Sequence, residues 1–178
     1  METDINLKPI WISGLNIRLL TANDLPALEW EGEYAHYRRM YRDIYQDYCQ
    51  GRALMWLAEL PETGLIGQAF IQLDSDVPEL ADGFARAYLY GFRVKPPYRS
   101  AGVGGKMLQY LEKDLRQRNF LVLTLNVGKD NPRARQFYEA HGYRVIGVEA
   151  GDWSYLDDQG QRRIVHEPAW RMEKSLGK

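Results

Sequence analysis

The period of hydrophobic positions changes several times along this chain, and the changes mark its elements. Residues 16–20 read as a short strand, and Thr21-Ala22-Asn23-Asp24 then supplies capping residues for a short helix. Residues 34–49 read as a second helix, polar and aromatic together. Residues 53–60 and 65–73 read as strands around the turn Pro61-Glu62-Thr63-Gly64. An acidic loop at 74–83 leads to a third long strand at 85–94. Val103, Met107, Leu111 and Leu115 then recur four apart with Leu108 beside them, so residues 103–116 predict a helix with one core face. Residues 121–127 are apolar on both faces and rich in β-formers, the pattern of a buried strand. Asn131 suits a helix N-cap, Pro132 the first helical position and Gly142 the terminator. Residues 143–149 and 168–175 read as the last strands, with Asp157-Asp158-Gln159-Gly160 as a hairpin turn or loop between them. The order is strand, helices, strands, then alternating strand and helix, which predicts an α+β or mixed α/β sheet.

Composition narrows the class. A chain of 178 residues buries one core without disulfides or metals, so a single domain over 1–178 is expected. The net charge of −1 gives no basic footprint for nucleic acid. One cysteine, Cys49, excludes a disulfide framework and suits a reducing, cytoplasmic setting. Met1-Glu2-Thr3-Asp4 lacks the basic start of a signal peptide. No apolar run approaches the ~20 residues that span a bilayer. His36, His141 and His166 show no metal-ligand spacing with Cys49 or an acid pair, so no metal site is expected.

The chemistry concentrates at Arg99-Ser100-Ala101-Gly102-Val103-Gly104, between a predicted strand and a predicted helix. Glycines at a helix start leave backbone N–H groups free to meet a phosphate at the positive end of the helix dipole. Two nucleotide patterns fail on specific residues. The Walker loop needs Gly where Ser100 stands and Ser or Thr where Met107 stands; the dinucleotide loop needs its third Gly at Met107. What remains is Arg99-x-x-Gly102-x-Gly104 followed by Gly105. About thirty residues on comes Asn131-x-x-Ala134-x-x-Phe137-Tyr138-x-x-x-Gly142-Tyr143, preceded by the buried strand. These two motifs, with Val94-Lys95-Pro96-Pro97-Tyr98 ahead of Arg99, resemble the GNAT superfamily of N-acyltransferases over residues 86–148.

The resemblance implies a mixed, mostly antiparallel sheet flanked by helices, with a V-shaped splay between two parallel central strands. It implies acetyl-CoA as acyl donor and a primary amine, small molecule or peptide, as acceptor. Arg99, Ser100, Ala101, Gly102, Val103, Gly104 and Gly105 would then hold the pyrophosphate, with Asn131 a further cofactor contact. Backbone groups of Phe92 and Val94 would pair with the pantetheine arm, and the Phe92 N–H would polarise the thioester carbonyl. Tyr138 sits where the family donates a proton to the departing sulfur. Tyr88 stands where some members carry a carboxylate base, which leaves the base open among Asp74, Asp76, Glu79, Asp82, Glu31, Glu33 and a water chain. Trp30, Tyr34, Tyr37, Tyr41, Tyr45 and Tyr48 form one helical stripe that either packs on the sheet or meets substrate. Because this region borders the acceptor in the family, Trp30, Glu31 and Tyr34, with Tyr88, are the expected acceptor contacts. The acids at 29–33 and 74–82 suggest a cationic acceptor. A homodimer is compatible with the fold. A non-catalytic acyl-CoA sensor on the same fold is the alternative, which the retained Tyr138 disfavours.

Overall fold

The structure is a computed structural model that describes residues 9–177. Its strands are β1 (Asn16–Leu19), β2 (Ala53–Leu60), β3 (Gly64–Gln72), β4 (Arg86–Val94), β5 (Val122–Gly128), β6 (Arg144–Glu149), β7 (Asp152–Leu156), β8 (Arg162–His166) and β9 (Ala169–Ser175). Its α-helices are α1 (Arg38–Cys49), α2 (Val103–Gln117) and α3 (Pro132–Ala140). Seven strands form one sheet in the order β1-β2-β3-β4-β5-β9-β6, and β7 pairs with β8 separately. Within the large sheet β4 and β5 run parallel while the other pairs run antiparallel.

Two apolar layers cover the sheet. On one face Met107, Leu108, Leu111 and Leu115 of α2 pack with Leu89, Leu123, Leu125 and Met172. On the other, Tyr41 and Ile44 of α1 join Leu28, Trp30, Met55, Leu57 and Phe70. β2 feeds both layers: Leu54, Trp56, Ala58 and Leu60 point one way, Met55 and Leu57 the other. That double burial explains its almost unbroken apolar run.

Two details of the central strands create a cleft. The β4–β5 ladder runs from Arg86↔Val122 to Leu89↔Leu125 and stops, although β4 continues to Val94 and β5 to Gly128. Beyond Leu89 the two strands splay. On its other side β4 pairs with β3 through a bulge, since Gln68 faces Arg93 and Phe70 faces Tyr90, which leaves Gly91 and Phe92 opposite Ala69. Gly91 takes φ +58°, and a Cβ there would lie 2.6 Å from the Phe70 ring. The extra residue shifts the alternation by one. Ala87, Leu89, Phe92 and Val94 therefore share the α2 face, and Tyr90 lies with the α1 layer.

The segment ahead of α1 departs from the expected helices. Residues Ala22–Gly32 form 3-10 turns broken at Trp30 and Glu31, whose φ values are 46° and 57°. Gly32 follows at φ 106°, so three consecutive left-handed residues reverse the chain. The predicted helix over 34–49 is regular only from Arg38, after a 3-10 turn at Ala35–Tyr37. The turn expected at 157–160 joins β7 to β8, two strands the apolar pattern did not mark. Asp157 builds it, its Oδ1 accepting from the Gln159 and Gln161 N–H groups at 3.0 and 2.8 Å.

Candidate active site

The end expected to bind an anion is made by the chain entering α2. Pro96–Tyr98 form a short 3-10 turn, Ser100 takes φ 62°, and Gly102 caps α2 at φ 92°. The first helical bond is Lys106 N–H to Gly102 C=O at 3.0 Å. The N–H groups of Val103, Gly104 and Gly105 precede it and meet no acceptor among the described residues. Val103's side chain is buried, so only its backbone is available to a ligand. Arg133, at the start of α3, donates to Ser100 Oγ and adds a cation beside the loop that the motif reading missed. Asn131 spends its Oδ1 on capping α3, accepting from the Ala134 N–H at 3.0 Å. Arg99 Nε donates to the Val94 carbonyl at 2.7 Å, so a ligand pairing with that oxygen displaces Arg99 from it.

The glycines also set how the helices pack. A Cβ on Gly104 would stand 3.2 Å from Phe137, and one on Gly105 3.0 Å from His141 Nε2. Both therefore let α2 and α3 approach closely. Gly104→Val is expected to push Phe137 away, tilt the first turn of α2 and weaken acetyl-CoA binding at least about tenfold. Titration calorimetry, with circular dichroism to check folding, tests this. Unchanged affinity would remove the loop from the donor site.

The cleft between the splayed strands is lined from both faces of the sheet. Phe92, Phe137 and Tyr138 cluster on the α3 side, with ring centroids 6.2 Å apart for Phe92–Phe137 and 5.2 Å for Phe137–Tyr138. The Tyr138 hydroxyl makes no hydrogen bond among the described residues. Burial pushes its phenol well above the ordinary value of 10, and Tyr88 adds to that shift. Tyr138 is therefore a phenol, able to donate, throughout the neutral range. Tyr88 faces the cleft from the other side and is also pushed up, chiefly by burial; the Arg171 charge and the Asn126 amide oppose the shift. It stays neutral and is no substitute for a carboxylate base.

Asn126 is the residue that motif reasoning overlooked. It is the first position of β5 past the last β4–β5 pair, and its Oδ1 is buried with no partner among the described residues. A lone amide in the apolar run Leu121 to Val127 was the available signal. Arg171, opposite it on β9, pairs with Glu149 at 2.7 Å and leaves its Nε buried without a partner.

The expected acceptor residues divide. Trp30 is 4 % exposed, and its indole N–H donates to Gln68 Oε1 at 3.1 Å, so it supports the wall from within. Tyr34 keeps a surface, stacks 6.1 Å from Tyr37 and packs edge-on to Trp30. Tyr37 in turn meets Tyr155 of the β7–β8 hairpin at 5.0 Å. The stripe thus splits: Tyr41 is core, while Tyr34 and Tyr37 line an edge. Of the acids expected to attract a cation, three are engaged within the fold, while Glu33, Asp74, Asp76 and Glu79 make no ion pair among the described residues. Glu29 pairs with Arg38 at 2.6 Å, Glu31 with Lys95 at 3.0 Å, and Asp82 accepts from the Phe84, Ala85 and Arg86 N–H groups.

Tyr90, Tyr138 and Tyr143 all have phenols raised by burial in the folded state. A folded pKa above the unfolded value means the stabilisation is complete below about pH 10 and is lost as pH rises through the folded values. Thermal melts between about pH 8 and 11 should show Tm falling only above about pH 10, and the triple Tyr→Phe variant should flatten that fall.

A parallel pair that splays beside a helix start with three free N–H groups is the framework of an acyl-CoA-dependent transferase. The model of the acetyltransferase (GNAT) family matches residues 21–143, and the chain belongs to that family. Over 94 residues it is 28% identical to YycN, an uncharacterised N-acetyltransferase of Bacillus subtilis strain 168, covering 53% of this chain and 57% of that one. Over 63 residues it is 36% identical to the 5-NmdU N-acetyltransferase of Pseudomonas phage PaMx11, covering 35% and 43%. The matches thus span about half the length of these relatives. Among solved structures, Ard1 from Thermoplasma volcanium superposes with a TM-score of 0.70 at 16% identity, over 93% of this chain and 99% of that one. The ribosomal-protein-S18-alanine N-acetyltransferase of Escherichia coli gives 0.68 at 22% identity, over 92% and 95%. At these identities the likeness shows the shared fold. No helix of the described residues is long and apolar enough to cross a membrane.

Proposed function

We propose that this protein transfers an acetyl group from acetyl-CoA to a primary amine by direct attack on the thioester. One observation carries the reading: the splay of β4 from β5 opens directly beside a donor-rich helix start, with an unpartnered phenol at the fork. The residues present suit the donor. Val103, Gly104 and Gly105 N–H groups, with Arg99 and Arg133, hold its pyrophosphate, while Phe92 and Val94 offer backbone groups to its arm.

The thioester supplies an activated acyl carbon, and the chain's residues do the rest. The bulge at Gly91 turns the Phe92 backbone toward the cleft, where its N–H donates to the acyl oxygen as that oxygen gains charge. Asn126 Oδ1 accepts an N–H of the incoming amine and aims its lone pair. A C–N bond forms, the C–S bond breaks, and Tyr138 gives its hydroxyl proton to the departing sulfur. The amine's surplus proton leaves through water, and a proton taken up from water restores the Tyr138 phenol. Tyr34 and Tyr37 flank the acceptor, with Glu31 at the rim and Trp30 behind. The same reading places the protein in the cytoplasm and admits a homodimer.

A thiol-release assay with acetyl-CoA over an amine panel tests the proposal. Acetylation of at least one amine, slowed at least about tenfold in Tyr138→Phe, is the expected result. An affinity for acetyl-CoA with no transfer to any amine would instead favour a sensor.

A further inference from the structure

On the α1 side of the sheet one strand arginine has no acid. Arg18 meets Asp24 and Glu59 at 2.8 Å each, Arg86 meets Glu173 at 3.5 Å, and Arg171 meets Glu149 at 2.7 Å. Arg93 is half-buried like these, yet no carboxylate lies within ion-pair distance of it among the described residues. Its guanidinium carbon sits 4.3 Å from the centroid of the Tyr34 ring and 5.3 Å from that of Tyr37. The one hydrogen bond its side chain makes among the described residues is from Nη1 to the Tyr41 hydroxyl, long at 3.3 Å. A guanidinium carries five N–H donors, so most of this one's capacity is unused. Glu33 and Glu167 act on Tyr34 and Tyr37 respectively, but neither pairs with Arg93.

A partly buried cation left without an anion is costly unless something else completes it. Ring faces hold a guanidinium flat and leave its edge open, the geometry that receives a carboxylate through two parallel hydrogen bonds. Position adds to this. Arg93 follows Phe92, so its side chain leaves β4 beside the backbone donor proposed for the acyl oxygen, on the face lined by Tyr34 and Tyr37. The bulge at Gly91 is what turns it there.

We infer that Arg93 is the receptor for a carboxylate on the acceptor, and that the acceptor is a small amine of the amino-acid type. This rests on the acetyltransferase reading above. It also reverses the cationic preference suggested by the acidic runs, of which Glu29, Glu31 and Asp82 are engaged within the fold.

The test compares amino acids and ω-amino acids with their carboxamides as acceptors, following thiol release with acetyl-CoA. Acetyl-CoA binding is measured separately by calorimetry. The wild-type protein should favour the carboxylate member at least about tenfold in kcat/KM. Arg93→Gln should lower turnover of that member by about 10- to 100-fold and erase the preference, with acetyl-CoA affinity unchanged. Arg93→Lys should restore part of it, because the charge returns without the fork. Tyr41→Phe, which loosens the arginine's anchor without removing the guanidinium, should keep the preference and so separates recognition from folding. Equal turnover of the two members, or a preference that survives Arg93→Gln, overturns the inference. Normal acetyl-CoA binding without a carboxylate preference defeats it alone; failure to bind acetyl-CoA defeats the acetyltransferase reading and this inference with it.

Discussion

Tyr138→Phe is expected to lower kcat by roughly ten- to a thousandfold while the KM for acetyl-CoA stays within about twofold. The reason is local. The hydroxyl has no partner to lose among the described residues, and the ring keeps its contacts with Phe137 and Tyr143, at centroid distances of 5.2 and 5.5 Å. Ground-state packing is therefore preserved, and only a bond made to the departing sulfur disappears. Acetyl-CoA binding should be preserved as well, since the proposed phosphate donors lie in the Arg99–Gly105 loop and at Arg133. Because burial holds the phenol above its usual range, the wild-type rate should show no alkaline decline from this group below about pH 10. Steady-state kinetics of the two proteins across pH decide the matter. An unchanged kcat would make Tyr138 a packing residue.

Gly91→Ala is expected to damage stability and activity together. The new Cβ would stand 2.6 and 2.9 Å from two atoms of the Phe70 ring, and the backbone would keep φ +58°. The left-handed conformation costs roughly 1–2 kcal/mol and the overpacking about 1–3 kcal/mol. The sum corresponds to a fall in Tm of about 5–15 °C for a chain of this size. Any relaxation that removes the bulge would shift Phe92, Arg93 and Val94 by one position in the alternation, so the proposed acyl donor and carboxylate receptor would exchange faces. Phe70→Leu added to Gly91→Ala should recover part of the stability by relieving the ring contact. Thermal denaturation and the thiol-release assay read the two effects, and wild-type behaviour in both would show that the bulge is dispensable.

How much of this was legible beforehand depended on how local the cause was. The apolar face of α2 could be read from Val103, Met107, Leu111 and Leu115, because a helix writes its burial into a fixed period, and all four are buried. Asn131 announced its cap for a similar reason: the hydrogen bond spans three residues. The burial of Trp30 had no such signature, since it follows from left-handed turns at Trp30 and Glu31, residue types that carry no preference for them. Gly91 inside a strand-like run did hint at a bulge, but its consequence for the parity of Phe92 and Arg93 needed the register against β3. Asn126 and Arg93 gain their meaning from partners they lack, and a missing partner is a property of three-dimensional packing. The strands β7 and β8 went unmarked because both are largely exposed, with little apolar alternation to betray them.

That exposed hairpin behaves as a cassette. It bonds to itself in a separate two-stranded sheet, and its base is pinched shut where the Glu167 N–H donates to the Gly151 carbonyl at 3.0 Å. At that pinch a side chain on Gly151 would collide with the Glu167 carbonyl at 1.8 Å, which fixes the hinge residue. The ladder of β6 against β9 shares no hydrogen-bonded pair with the residues between those two points. Its Tyr155 nonetheless rests on Tyr37, at the rim of the proposed acceptor cleft. A loop exchanged between Gly151 and Glu167 would therefore re-cut the proposed entrance while leaving the proposed acetyl-transfer residues in place, which makes this short span the natural point for grafting new acceptor preferences onto the scaffold.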